Sequence, residues 1–234
     1  MRVCVIPARG GSKRIPRKNI KYFCGQPMIS RSIQAAIKSN CFDKIIVSTD
    51  DVEICKIALE YGADVPFIRP DILSDDFTET VPVIKHAVQE LNIQGFNVSN
   101  VCCLYATSPF VRVTDIVKGL KKLINLNADY IFTATTFSYP IKRALSINQG
   151  KGVSMLFPDF KNIRSQDIDE AYHDAGQFYW GTASAWLKSK PIFGENSAIV
   201  KLPRAIVQDI DTLEDWEQAE LKYRLMESTL LNTE

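Results

Sequence analysis

The order of the apolar segments leaves this chain few possible folds. Short apolar runs alternate with stretches whose apolar residues recur at helical spacing, and the alternation repeats up to residue 137. Residues 2–6 read as a buried strand. Residues 28–39 carry Ile29, Ile33, Ala36 and Ile37 on one face, and a strand over 44–49 closes the first β-α-β unit. Residues 51–61 repeat the pattern with Ile54, Ile57, Ala58 and Tyr61, stop at Gly62, and lead to a short strand expected over 64–68. A third helix over 78–91 accommodates Pro82 in its first turn and precedes a strand over 101–105. A fourth starts at Thr114 as N-cap, runs to about Asn125, and precedes a strand over 129–135. Strands alternating with helices specify a mainly parallel sheet with helices on both faces, a Rossmann-like α/β fold.

Beyond Phe137 the alternation breaks. Residues 139–186 have scattered Pro and Gly, alternating apolar residues and no clear helix, which predicts extended arms inserted into the main sheet, an arrangement that often makes a dimer contact. Regular structure resumes over 198–207. The last helix begins at Thr212, with Asp215 three residues on as an imperfect capping box and Leu213, Trp216, Ala219 and Tyr223 facing inward. The 234 residues suit one domain, 1–234. No apolar stretch approaches the roughly 20 residues that span a bilayer, and the N-terminus lacks signal-peptide character, so a soluble, cytoplasmic protein is expected. Six cysteines at no metal-ligand spacing read as reduced, mostly buried thiols.

The loop behind the first strand carries the chemistry. Residues 6–19, Ile-Pro-Ala-Arg-Gly-Gly-Ser-Lys-Arg-Ile-Pro-Arg-Lys-Asn, set two glycines, a serine and five cations at a strand's carboxyl end, where open α/β sheets bind ligands. Gly10 and Gly11 allow a sharp turn and bring N–H groups toward phosphate oxygens. Arg9, Lys13, Arg14, Arg17 and Lys18 supply charge. The first 42 residues hold nine Lys or Arg and no acid, so a chain of formal charge +1 carries +9 there and −8 elsewhere. The implied ligand is a polyanion. A solvated basic loop or a nucleic-acid patch is the competing reading. Against the latter, the charge excess is confined to one segment, the pI is near neutral, and no aromatic residue interleaves before Tyr22 and Phe23. The glycines are adjacent and the lysine follows two residues later, which excludes a Walker P-loop.

Pro7-Ala8-Arg9-Gly10-Gly11-Ser12-Lys13, followed by Pro16-Arg17-Lys18-Asn19, resembles the signature of the cytidylyltransferases that activate acidic sugars, the family of CMP-sialic acid and CMP-Kdo synthetases. The resemblance implies a fold of the nucleotide-diphospho-sugar transferase type, with residues 138–187 as a dimerisation and sugar-binding arm that reaches the partner's active site in a homodimer. It implies CTP and a nine-carbon sugar acid as ligands, with no nucleic acid and no membrane. Ala8, Arg9, Gly10, Gly11, Ser12, Lys13, Lys18 and Asn19 would bind nucleotide. Arg69-Pro70, followed by Asp75, Asp76, Phe77 and Thr80, resembles the family's nucleotide-contacting loop, with Arg69 and Thr80 as the contacts. Lys18, Arg9 and Asp211 would be catalytic.

Gln208-Asp209-Ile210-Asp211 precedes the last helix. Two aspartates at i and i+2 of an extended strand point the same way, with Ile210 turned into the core. They suit one Mg²⁺ shared with substrate phosphates, or equally helix capping by one aspartate beside a surface charge. The resemblance implies the former, with Asp209 and Asp211 as metal ligands. Ser48-Thr49-Asp50-Asp51 resembles a post-strand motif of the family, and either aspartate could cap the next helix. Tyr105-Ala106-Thr107-Ser108-Pro109 departs from the Gln-Pro-Thr-Ser-Pro of the sialic acid enzymes, which counts against N-acetylneuraminic acid as substrate. Residues 164–180, ending His173-Asp174-Ala175-Gly176-Gln177-Phe178-Tyr179-Trp180, resemble the pseudaminic acid branch. Tyr105, Gln166, Tyr172, His173, Gln177 and Tyr179 are the sugar-binding candidates, with Phe178 and Trp180 as apolar surface; the same residues would also suit a structural strand with buried aromatics. His86, among Lys85, Gln89 and Glu90, reads as solvated or locally bonded.

Overall fold

A computed structural model, describing residues 1–148, 150 and 152–231, turns the alternation into a layered sheet. β1 (Arg2–Pro7) buries Val3, Cys4, Val5 and Ile6 completely, as expected of a strand covered on both faces. Two-residue strands β2 (Tyr22–Phe23) and β3 (Gln26–Pro27) pair antiparallel and lead into α1 (Met28–Ser39), β4 (Lys44–Ser48), α2 (Val52–Glu60) and α3 (Thr80–Ile93). β5 (Asn100–Leu104), α4 (Val113–Leu126) and β6 (Tyr130–Thr136) follow. The chain continues through a hairpin, β7 (Leu145–Asn148) with β8 (Gly152–Met155), then β9 (Tyr172–Thr182), α5 (Ala183–Leu187), β10 (Ser197–Lys201) and α6 (Leu213–Leu231).

The six-stranded sheet runs β10-β6-β9-β5-β1-β4. β1 is parallel to β4 and β5, and β10 to β6, while β9 lies antiparallel between β5 and β6. Alternate residues of β1 serve opposite faces. Cys4 and Ile6 pack with Ile29 and Ile33 of α1, Ile54 of α2, Leu120 of α4 and Trp216 of α6, whereas Val3 and Val5 pack with Ile84 and Val88 of α3 and Trp186 of α5. Helices therefore cover both faces, and the loops after β1, β4 and β5 gather at one edge.

Several expectations are corrected. Residues 64–68 form no strand; only Asp64 bridges Ile46, and Pro66, with no N–H to donate, stands where a ladder would continue. Thr114 is not an N-cap, since α4 starts at Val113 after Arg112, whose Nε bonds Asp115 at 2.6 Å. Residues 138–187 are not one arm. Residues 138–171 leave the sheet, whereas β9 returns through its middle and α5 packs below it. A register shift opposite Phe132 and Ala134, with Gly176 at φ +59°, lets β9 bend between its neighbours. Phe178 and Trp180 are fully buried under α4. A Cβ on Gly119 would lie 2.6 Å from the Trp180 ring, so glycine is what permits the helix to approach this closely. At α6 the capping box is reciprocal: Asp215 N donates to Thr212 Oγ1 at 3.1 Å, and Thr212 N to Asp215 Oδ2 at 2.8 Å.

Candidate active site

The loops after β1 and β5, together with residues 69–80, enclose a cleft of about 630 Å³. The anion loop is pinned before any ligand arrives. Asn19 donates from Nδ2 to Arg9 O at 2.9 Å and accepts from Ile29 N at 2.8 Å, so it fastens the loop. Ala8 N is spent on Ser48 O, Gly10 N on Asp50 Oδ1 at 3.0 Å, and Ser12 N on Gly10 O at 3.0 Å. These three amides are engaged within the protein, and the role expected of the Gly10 N–H is corrected accordingly. Gly10 is required by proximity, because a Cβ there would meet Asp51 Oδ2 at 2.7 Å; Gly11 faces open space. Asp51 caps α2 through Ile54 N at 3.0 Å, and Arg17 beside it holds its carboxyl below the ordinary carboxylate range. The two aspartates divide the work, Asp50 on the loop and Asp51 on the helix.

Four of the five loop cations line the cleft: Arg9, Lys13, Arg14 and Lys18. Arg17 turns away to Asp51 and Glu53. Each of the four meets a carboxylate of the chain itself. Arg9 donates to Asp75 O and pairs with Asp76 at 2.9 Å, and Lys13 pairs with Asp76 too. Arg14 makes two bonds to Asp211, at 2.9 and 2.8 Å. Lys18 donates to Ile210 O at 2.6 Å and lies 3.4 Å from Asp211 Oδ1. A polyanion binding to these cations must displace Asp76 from Arg9 and Lys13. Asp76→Asn is accordingly expected to tighten pyrophosphate binding roughly two- to fivefold, the scale of one solvent-exposed pair; calorimetric titration with pyrophosphate would show it, and unchanged or weaker binding would remove Asp76 from this role.

Across the cleft, Arg69 is 4% exposed, and burial lowers its pKa. Its Nε donates to Ser74 Oγ at 3.1 Å, Nη2 stands 3.6 Å from Asp50, and that Nη2 has no hydrogen bond within the protein. A buried guanidinium nitrogen left without a bond beside a cleft is a donor available to a ligand. Thr80 Oγ1 and Tyr105 OH are bonded at 2.7 Å on the same wall, and burial pushes the Tyr105 phenol up to about 12.

Of the six sugar-binding candidates, only Tyr105 lines this cleft. Gln177 is turned into the core, 4% exposed, with Nε2 on Ile206 O at 2.6 Å. Tyr179 is 3% exposed, its hydroxyl on Asp174 and its ring 5.4 Å from that of Tyr105. Both belong to a central strand covered on both faces, which is why the Gln177 amide N–H and the Tyr179 hydroxyl bond within the protein. Gln166, Tyr172 and His173 are exposed, outside the cleft. Tyr172 OH donates to Glu170 at 2.5 Å, and His173 packs edge-on against Phe137 beside a second depression formed with Tyr139, Pro140 and Ile141. His86 is locally engaged, 3.7 Å from Glu90 and edge-on to Phe67.

Asp209 and Asp211 flank Ile210, which is 2% exposed and turned inward as expected, though the segment is not part of a strand. The described residues contain no group of three or more His, Cys, Asp or Glu able to hold a metal by themselves. Neither aspartate lines the cleft: Asp209 is exposed, and Asp211 meets the cleft only through Arg14 and Lys18. Two hard carboxylates two residues apart nevertheless suit Mg²⁺, which takes one or two protein carboxylates and completes its shell with phosphate and water. The Arg14 and Lys18 charges converging on Asp211 occupy the place of such a cation. Asp50, Asp75 and Asp76 were not assigned to the site from the sequence, and Asp-Asp pairs beside predicted loops were the available signal.

A mainly parallel sheet whose first loop turns its cations into a cleft suits a nucleotide-binding enzyme, and the chain belongs to the cytidylyltransferase family, a class of nucleotidyltransferase, whose model matches residues 3–186. It is 46% identical over 223 residues to the pseudaminic acid cytidylyltransferase of Campylobacter jejuni subsp. jejuni, covering 95% of this chain and 96% of that one. It is 30% identical to the CMP-N,N'-diacetyllegionaminic acid synthase of Legionella pneumophila subsp. pneumophila, over 98% of this chain and 99% of that one. Among solved structures, CMP:2-keto-3-deoxy-manno-octonic acid synthetase complexed with CTP superposes with a TM-score of 0.69 at 15% identity, covering 96% of this chain and 99% of that one, a likeness of fold.

Proposed function

We propose that the chain transfers CMP from CTP to the anomeric hydroxyl of pseudaminic acid, a nine-carbon 2-keto sugar acid, releasing pyrophosphate. The observation that carries this reading is the 46% identity to a pseudaminic acid enzyme along almost the whole chain, against 30% to a legionaminic acid enzyme. Arg9, Lys13 and Lys18 bind the triphosphate as Asp76 withdraws. Arg69, through its free Nη2, and Thr80 hold the nucleoside. The sugar oxygen bonds to the α-phosphorus in line as the bond to the bridging oxygen breaks, pyrophosphate leaves, and the hydroxyl loses its proton. Lys18, fixed by Ile210 O, stabilises the charge that develops around the α-phosphate. Asp209 and Asp211 would hold Mg²⁺, which when bound neutralises phosphate charge and acts as a Lewis acid.

A homodimer completes the proposal. Tyr139 and Ile147 are each 84% exposed on the arm, with Leu145, Val153 and Leu156 exposed nearby, and an apolar patch of this kind marks a contact surface. A partner docked there would bring Gln166, Tyr172 and His173 toward its own cleft. CTP is drawn from the cytoplasm, so that is where the reaction is placed.

The test is pyrophosphate release from CTP and Mg²⁺ with pseudaminic, legionaminic and N-acetylneuraminic acids in parallel, with ATP, GTP and UTP controls. Turnover confined to CTP and pseudaminic acid is the expected result. A preference for another acid would overturn the substrate, and no turnover with any pair would overturn the activity.

A further inference from the structure

The segment bearing Asp209 and Asp211 has no sheet partner. After the turn Arg204–Ile206, residues 207–211 belong to no helix or strand, so no main-chain ladder determines where the two carboxylates stand. Side chains from three parts of the fold hold that main chain instead. Gln177 of β9 donates to Ile206 O at 2.6 Å. Lys222 of α6 donates from Nζ to Val207 O at 3.1 Å and to Gln208 Oε1 at 3.4 Å, with its ammonium 5.4 Å from the centre of the Phe110 ring. Lys18 holds Ile210 O, and Asp215 Oδ2 accepts from Asp211 N at 3.1 Å. Lys18 faces the cleft, whereas Gln177 and Lys222 do not line it.

Gln177 sits in the core with Oε1 buried and unbonded. A buried polar atom without a partner is destabilising, a cost an apolar side chain would avoid. What the amide supplies in return is its bond to Ile206. The main-chain oxygen of the same residue accepts from Tyr105 N at 3.0 Å and Ser108 Oγ at 3.3 Å, so Gln177 joins the cleft wall after β5 to the acidic segment.

We propose that Gln177 and Lys222 are positioning residues that set where Asp209 and Asp211 stand, and through them the affinity of the divalent-cation site; this rests on the metal reading of the two aspartates given above. Partners bonded directly to a metal ligand typically change metal affinity 10- to 100-fold when removed; Gln177 and Lys222 instead hold the main chain at Ile206 and Val207, just ahead of Asp209, so an effect at the low end of that range is expected. Neither residue touches a reacting atom.

The experiment titrates Mn²⁺ into the full chain with CTP, followed by water-proton relaxation, for Lys222→Met, Lys222→Arg, Gln177→Leu and Asp211→Asn, with thermal unfolding and CTP affinity in EDTA measured alongside. Lys222→Met and Gln177→Leu are expected to weaken Mn²⁺ binding on the order of tenfold, with CTP affinity in EDTA unchanged. Lys222→Arg, which keeps a cationic donor, should restore most of the loss, and the kcat lost at low Mg²⁺ should return at saturating Mg²⁺. If Asp211→Asn weakens Mn²⁺ binding while Lys222→Met leaves it unchanged, the positioning role alone falls. If Asp211→Asn leaves Mn²⁺ binding unchanged, the metal reading falls and takes this inference with it. A lower Tm for Gln177→Leu with normal Mn²⁺ affinity would make that residue purely structural.

Discussion

Asp211→Asn is expected to lower turnover by about 10²–10³, the loss that follows removal of one group stabilising transition-state charge, while CTP binding survives. The substitution keeps the shape and removes the charge. Lys18 stays in place through its bond to Ile210 O, so this cleft cation is not released with its partner. Arg14, with its side chain 67% exposed, loses a surface pair worth about 0–1 kcal/mol, so the fold should lose at most a few degrees of Tm. Steady-state kinetics with CTP binding by calorimetry separate the two effects. Activity within tenfold of the parent would show that Asp211 only neutralises Arg14 and Lys18.

Trp180→Ala carries the largest expected cost to the fold. The side chain is fully buried in β9, its ring stacked on Phe42 at 5.0 Å, and Nε1 donates to Ile116 O at 3.0 Å. Deleting a buried Trp costs about 3–5 kcal/mol through lost burial and the cavity left behind, which for a chain of this length lowers Tm on the order of 10 °C. Trp180→Phe keeps an aromatic surface against Phe42 and should recover most of that loss. Sugar preference should stay as it was in any variant that folds, because the ring faces α4. A change of sugar preference at constant Tm would return Trp180 to the binding surface that its neighbours in the sequence imply.

The aromatic segment shows where linear reading stops. Tyr172 to Thr182 mixes polar and aromatic residues as a ligand-binding strand would, and nothing in its composition says that it closes the gap between β5 and β6. That is decided by partners far away in sequence, Cys102 opposite Trp180 on one side and Ile131 on the other. Once the strand is covered on both faces, Gln177 and Tyr179 find their partners only inside the protein, and the Gln177 amide N–H and the Tyr179 hydroxyl are directed to Ile206 and Asp174. The cleft follows the same rule. The Lys and Arg content of residues 9–18 was legible, but the acids that meet the four cleft cations are Asp76 and Asp211, the latter 197 positions from Arg14.

What the sequence determined by itself is local: the β-α alternation, the covered parallel sheet it implies, and the anion loop at the first strand's end, because periodicity and loop composition are properties of consecutive residues. Only the tertiary structure decided which loop cations face the cleft, which of Asp50 and Asp51 holds the loop, and which polar residues of β9 are left for a ligand. Those outcomes depend on the few ångströms between groups from distant segments, because burial favours a partner within reach for an enclosed polar group and leaves a few, such as Arg69 Nη2, without one.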